Sequence, residues 1–135
     1  MTRILIVDDS MSFRQSLKEI LLKQFLSSEL EEAGDKDEAL EQVERSCPDL
    51  IFMDIRLPHT TGLELTREIK AQYPGTRVVV LTGFDSPEYR EAATQCGADH
   101  FLSKDSATSD EILQLVESIL SQKRDDSNDP YPGRP

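Results

Sequence analysis

The chain of 135 residues has only two cysteines, 15 basic residues against 26 acidic ones, and no apolar run longer than four residues. Each scarcity removes a class of protein. A bilayer span needs about 20 consecutive apolar residues and a secretory leader about 7–15, so residues 4–7, halted by two aspartates, are expected to be neither. Cys47 and Cys96 fit no CxxC or repeated spacing, which sets aside a disulfide framework or zinc site and suits reduced thiols in the cytoplasm. A net charge of −11 and a pI near 4.5 disfavour nucleic-acid binding by this chain alone, because that affinity rests on lysines and arginines displacing counterions. His59 and His100 have no carboxylate or cysteine at a recurring metal spacing. No internal repeat is present.

What is present is an alternation of two patterns. Residues 4–7, 50–53 and 78–81 are unbroken apolar runs, partly β-branched, as expected of strands covered on both faces by helices. Between them, Phe13, Leu17, Ile20, Leu21 and Phe25 recur at helical spacing, as do Ile112, Leu115, Val116, Ile119 and Leu120. Ala39, Leu40 and Val43 form a shorter apolar face, and Leu63, Leu65 and Ile69 another. Asp35 with Glu38, Thr61 with Glu64, Asp85 with Glu88 and Thr108 with Glu111 fit capping boxes, and Pro87 suits a first helical turn. Helices are therefore expected at about 11–24, 36–46, 62–72, 87–96 and 108–121. Residues 29–33, Glu-Leu-Glu-Glu-Ala, offer little apolar material and suit an edge strand or no strand. The order is βα repeated five times, which calls for right-handed crossovers and helices on both faces of one parallel sheet.

The length fits one domain. Residues 1–121 are expected to form it, and residues 122–135, with three prolines and a glycine and almost nothing apolar, read as a flexible tail or linker.

The apolar runs share a second property: each ends in a reactive side chain. Asp8 and Asp9 follow residues 4–7, Asp54 follows 50–53, Thr82 follows 78–81, and Lys104 lies just past Phe101 and Leu102. In an open parallel sheet, ligands bind beyond the carboxyl ends of the strands, so these residues are candidates to meet in one polar site. Three carboxylates, a hydroxyl and an ammonium suggest a cation and a phosphoryl group. Each residue also has a plainer reading. Asp8 and Asp9 could favour the positive end of the following helix, though two adjacent aspartates cannot both cap it. Thr82 suits a strand and Phe101 a core. Lys104 alone would be a surface lysine, and Arg14, Lys18 and Arg56 are expected to be solvated. Asp54 is harder to dismiss, because a carboxylate after so apolar a strand needs a compensating partner.

Taken together, Asp8-Asp9 closing a first strand, Asp54 within FMDIRLPHTTGLEL, Thr82-Gly83 closing a fourth and Lys104 after a fifth resemble the receiver domain of bacterial two-component response regulators. The resemblance covers roughly residues 2–121. It implies a flavodoxin-like, doubly wound (βα)5 fold whose five-stranded parallel sheet has the order 2-1-3-4-5. It implies that Asp54 is the phosphoacceptor, taking a phosphoryl group from the phosphohistidine of a sensor histidine kinase or phosphotransfer protein. Asp9 would bind Mg2+ directly, Asp8 mainly through water, and the Arg56 backbone carbonyl would complete the protein ligands. Lys104 would pair with phosphoryl oxygens, Thr82 would donate its hydroxyl to them, and Phe101 would turn inward as the switch aromatic. Such a domain catalyses only its own phosphorylation and dephosphorylation. Residues of about 86–121 would then dimerise or dock an effector.

The chain departs from the family pattern in two places. Asp105 stands where proline commonly follows the lysine, often after a cis peptide, and a non-proline cis bond would cost about 2.5–4 kcal/mol. Lysine followed by aspartate is similar to regulators whose receiver precedes a helix-turn-helix output domain, so a DNA-binding domain outside this chain is expected. Phe101 replaces a frequent tyrosine and so lacks its hydroxyl. Rival readings fit less well. An aspartyl-nucleophile phosphatase would carry a second aspartate where Arg56 stands, and a flavin-binding protein would need a phosphate-cradling loop where Asp8 and Asp9 would repel phosphate.

Overall fold

Five parallel strands form the central sheet of the computed structural model, which describes residues 2–125. In chain order the elements are β1 (Arg3–Val7), α1 (Met11–Gln24), β2 (Glu29–Ala33), α2 (Lys36–Ser46), β3 (Leu50–Met53), β4 (Arg56–Leu57), β5 (Thr60–Thr61), α3 (Gly62–Gln72), β6 (Arg77–Thr82), α4 (Pro87–Gln95), β7 (His100–Ser103) and α5 (Ser109–Asp125). The sheet runs β2-β1-β3-β6-β7, with β4 and β5 forming a separate antiparallel hairpin. Without that hairpin, which has no counterpart in the sequence expectation, the order is the expected 2-1-3-4-5. This is the flavodoxin-like, doubly wound fold.

The unbroken apolar strands divide by pleat. Ile4, Ile6, Phe52, Val79 and Leu81 pack with Leu17 and Leu21 of α1 and Val116 and Ile119 of α5. Leu5, Val7, Ile51, Met53 and Val78 face the other way, onto Ala39 and Val43 of α2 and Leu65 and Ile69 of α3. Successive side chains thus feed two cores, which is why the strands show no polar alternation. Residues 29–33 do form a strand, at the sheet edge beside β1, where a half-exposed face tolerates three glutamates.

The helix starts refine the capping pattern. Thr108 and Glu111 close a reciprocal box, at 3.1 Å in each direction. Asp35 and Thr61 cap their helices, but Glu38 reaches back to the Gly34 N–H and Glu64 to the Thr60 hydroxyl. The expected Asp85–Glu88 box is corrected: Ser86 caps α4 by accepting from the Tyr89 N–H at 3.2 Å, while Asp85 pairs with Arg90. With Pro87 at the first helical position, the cap must sit immediately before it, and that residue is Ser86. Helix α5 continues to Asp125, past the expected end at 121. The expected tail of 122–135 therefore begins within a helix, and residues 126–135 lie outside those described.

Candidate functional site

The strands end level at one edge. Asp54 donates its N–H to the Val7 carbonyl at 2.9 Å and Asp8 donates to the Ala33 carbonyl at 3.0 Å, so the residues just past β1 and β3 stand side by side. Across the sheet, Val7 is in register with Met53, and Met53 with Val80. Lys104 donates its N–H to the Thr82 carbonyl at 2.8 Å, tying the end of β7 to the end of β6. Parallel pairing thus gathers four distant segments at one place.

Asp8, Asp9 and Asp54 each offer a carboxylate oxygen, and these atoms lie within 4.8 Å of one another. Asp8 and Asp54 are buried and Asp9 is exposed. Lys104 Nζ reaches between them, 2.7 Å from Asp8 Oδ2 and 3.4 Å from Asp54 Oδ2. Asp8 Oδ1 accepts the Ser10 N–H at 2.9 Å, whereas the buried Asp54 Oδ1 finds no hydrogen-bond partner among the described residues. Among the described residues, the Lys104 ammonium thus contacts two of the three clustered carboxylates. Desolvation pushes the Asp54 carboxyl above its ordinary pKa, the Thr82 hydroxyl pulls it back, the Asp8 charge raises it, and Lys104 lowers it, with a net upward shift. An all-oxygen donor set with unbalanced negative charge and an unsatisfied buried oxygen fits a hard divalent cation.

Thr82 is fully buried, and its hydroxyl accepts the Phe84 N–H at 3.3 Å. The Arg56 side chain lies with its guanidinium 5.0 Å from the Phe84 ring centre, at the start of the β4–β5 hairpin. Phe101 is half-buried against Ile55, Val80 and Ala93, and the Arg90 guanidinium stacks 4.7 Å from its ring centre while pairing with Asp85 at 2.6 Å. The structure thus brings Asp8, Asp9, Asp54 and Lys104 into direct proximity, with Thr82 beside them and Phe101 one layer away. Every described peptide bond is trans, Lys104–Asp105 included.

Two supports escaped the sequence reading. Arg14 and Lys18, expected to be solvated, both pair with Glu32, at 2.9 and 3.0 Å, and Arg14 also donates to the Asp8 carbonyl at 2.6 Å. Burial opposes the Glu32 charge, but hydrogen bonds and charges from Lys18 and Arg14 hold its pKa below the ordinary value. Arg14 thereby fixes the backbone at the first aspartate from the sheet edge. Gly62 is the second support: its N–H donates to the Ile55 carbonyl at 2.6 Å, and a Cβ there would collide with the Asp54 carbonyl group and the Met53 side chain. The glycine of the TTGLEL stretch is thus needed for close approach of α3 to the Asp54 backbone.

Comparison with known proteins identifies the family. The family model of the response regulator receiver domain matches residues 4–117, and the chain belongs to that family. It is 37% identical over 124 residues to the response regulator MprA of Mycobacterium leprae, covering 92% of this chain and 53% of that protein. It is 32% identical over 117 residues to the transcriptional regulatory protein DegU of Brevibacillus brevis, covering 87% and 49%. The chain therefore spans about half the length of these relatives. Among solved structures, a CheY-like receiver domain protein from Methanospirillum hungatei superposes with a TM-score of 0.82 at 31% identity, covering 93% of this chain and 98% of that one. A LuxR-family two-component response regulator from Aurantimonas superposes with a TM-score of 0.81 at 29% identity, covering 90% and 87%. Among the described residues no helix is long and apolar enough to cross a membrane.

Proposed function

We propose that this chain is a phosphorylation-operated switch of a two-component system, with Asp54 as its phosphoacceptor. The observation that carries the reading is the Asp54 carboxylate: buried, raised in pKa, one oxygen unsatisfied, and flanked by Lys104 and two further aspartates. An Asp54 oxygen attacks the phosphorus of a phosphohistidine on a sensor histidine kinase or phosphotransfer protein. The new O–P bond forms as the P–N bond breaks, and the departing imidazole keeps the electron pair. Mg2+, held by Asp8, Asp9, Asp54 and the Arg56 backbone carbonyl, would supply neutralisation of the charge gathered around the transferring group. Lys104 moves from its carboxylate partners to a phosphoryl oxygen, and the Thr82 hydroxyl donates to another. Hydrolysis of the acyl phosphate resets the carboxylate, so the domain acts catalytically only on itself.

The charge on Asp54 biases the output face. Thr82 leaves its contact with the Phe84 N–H to reach the phosphoryl group, and Phe101 turns inward, releasing its stacking with Arg90. Residues of about 86–121 then dimerise or dock an effector. Relatives about twice as long, DegU among them a named transcriptional regulator, support an output through a DNA-binding domain outside this chain, in the cytoplasm. The receiver is taken to begin at residue 1 and to run through helix α5, whose end at Asp125 lies past the expected boundary at 121. The test is incubation with acetyl phosphate, a small acyl phosphate donor, and Mg2+, followed by intact-mass measurement. Native protein is expected to gain one phosphoryl group, and Asp54→Asn or a metal-free reaction none; equal labelling of the mutant would overturn the assignment.

A further inference from the structure

Lys104 has a third neighbour that is not a carboxylate. Its Nζ lies 4.1 Å from the centre of the Phe13 ring, besides the contacts with Asp8 Oδ2 at 2.7 Å and Asp54 Oδ2 at 3.4 Å. Of its N–H donors one is hydrogen-bonded to Asp54 Oδ2, the contact with Asp8 Oδ2 is an ion pair, and the ammonium also lies over the aromatic face. The helical spacing of α1 places Phe13 with the core-facing residues, yet in the structure it is only partly buried, at the edge of the cluster that holds Leu17 and Leu21. Its place is fixed by the same residue that fixes Asp8. Ser10 donates its N–H to Asp8 Oδ1 at 2.9 Å, and its hydroxyl accepts the Phe13 N–H at 3.2 Å. Two of the three partners of Lys104 are thus set by one helix cap.

We infer that Phe13 is a positioning residue for Lys104, holding the ammonium over the acceptor carboxylate before the phosphoryl group arrives. The inference rests on the phosphoacceptor reading above. A lysine has a long, freely rotating stem, and the exposed Asp9 offers it a competing partner on the solvent side. The ring competes with that partner by attracting the ammonium through its quadrupole. The attraction has no single acceptor direction, so the ammonium can pivot from Asp54 Oδ2 to a phosphoryl oxygen while staying on the ring. A carboxylate or hydroxyl in that place would bind in one direction and hold the lysine back.

The test compares Phe13→Leu, which keeps apolar volume without a π face, with Phe13→Tyr, which keeps both. Two quantities are read: the rate of labelling by acetyl phosphate at fixed Mg2+, and the NMR shifts of the Lys104 side-chain protons in the unphosphorylated protein. Native protein and Phe13→Tyr are expected to show ring-current upfield shifts at Lys104 and similar labelling rates. Phe13→Leu is expected to lose the shift and to label about threefold to tenfold more slowly, the rate equivalent of a partly desolvated cation–π contact. If Phe13→Leu does not fold, Phe13→Met takes its place. Unshifted Lys104 protons in native protein, or equal labelling rates for the leucine and tyrosine variants, would overturn the inference. The NMR readout needs no phosphorylation, so failure of the phosphoacceptor reading and failure of this inference are distinguishable.

Discussion

Burial raises the Asp54 carboxyl above its ordinary value, so the folded protein binds a proton there more tightly than the unfolded chain does. Stability attached to this group is therefore present at low pH and is lost as pH rises from the ordinary carboxyl range through the raised folded value. At neutral pH the ionised Asp54 weakens the fold, and Asp54→Asn is expected to stabilise it by about 1 kcal/mol. The gain should shrink as pH falls below the carboxyl range, which thermal melts from about pH 8 to about pH 3 would show. Asp9 makes the contrasting case. It is exposed, so Asp9→Asn should change stability by no more than about 0.5 kcal/mol. The same change should weaken Mg2+ binding about tenfold or more, measured by calorimetric titration. The strand-end aspartates, Thr82 and Lys104 were legible in the sequence because parallel pairing sends every strand terminus to one edge. Arg14 and Phe13 were not, because their roles depend on contacts between α1, β2 and the loop after β7 that no spacing encodes.

Among the elements, the main strands and all five helices were readable from runs of apolar residues and from helical periodicity. The β4–β5 hairpin was not, since two-residue strands are too short to show a period. The start of α4 shows a subtler limit. Asp85 and Ser86 are both good caps, and only the backbone decides between them. Ser86→Ala is expected to cost about 0.5–2 kcal/mol in urea unfolding. Asp85→Ala removes an exposed ion pair with Arg90, and its unfolding midpoint should stay closer to native than that of Ser86→Ala. At the start of α3, Gly62→Ala forces a methyl group against the Asp54 backbone. It should destabilise the fold by about 1–3 kcal/mol and slow phosphorylation, although Gly62 is not itself among the acidic residues.

At the scale of the whole molecule, the proposed function adds a further negative group to a protein of net charge −11, so Lys104 and a cation at the acidic cluster would have to compensate it locally. The cation should raise the melting temperature of the native protein in proportion to the logarithm of its concentration above the dissociation constant. Phosphorylation is expected to change the association of the α4–α5 face, which light scattering before and after labelling would register as a rise in mass or in affinity for an effector. The change in association depends on where the phosphoryl group sits. The most direct measurement is to label the protein with acetyl phosphate and Mg2+, reduce the acyl phosphate with borohydride, and map the modified peptide by mass spectrometry. Conversion of residue 54 to homoserine is the expected result; a modification at any other residue, or no modification, would contradict the assignment of Asp54 as the phosphoacceptor.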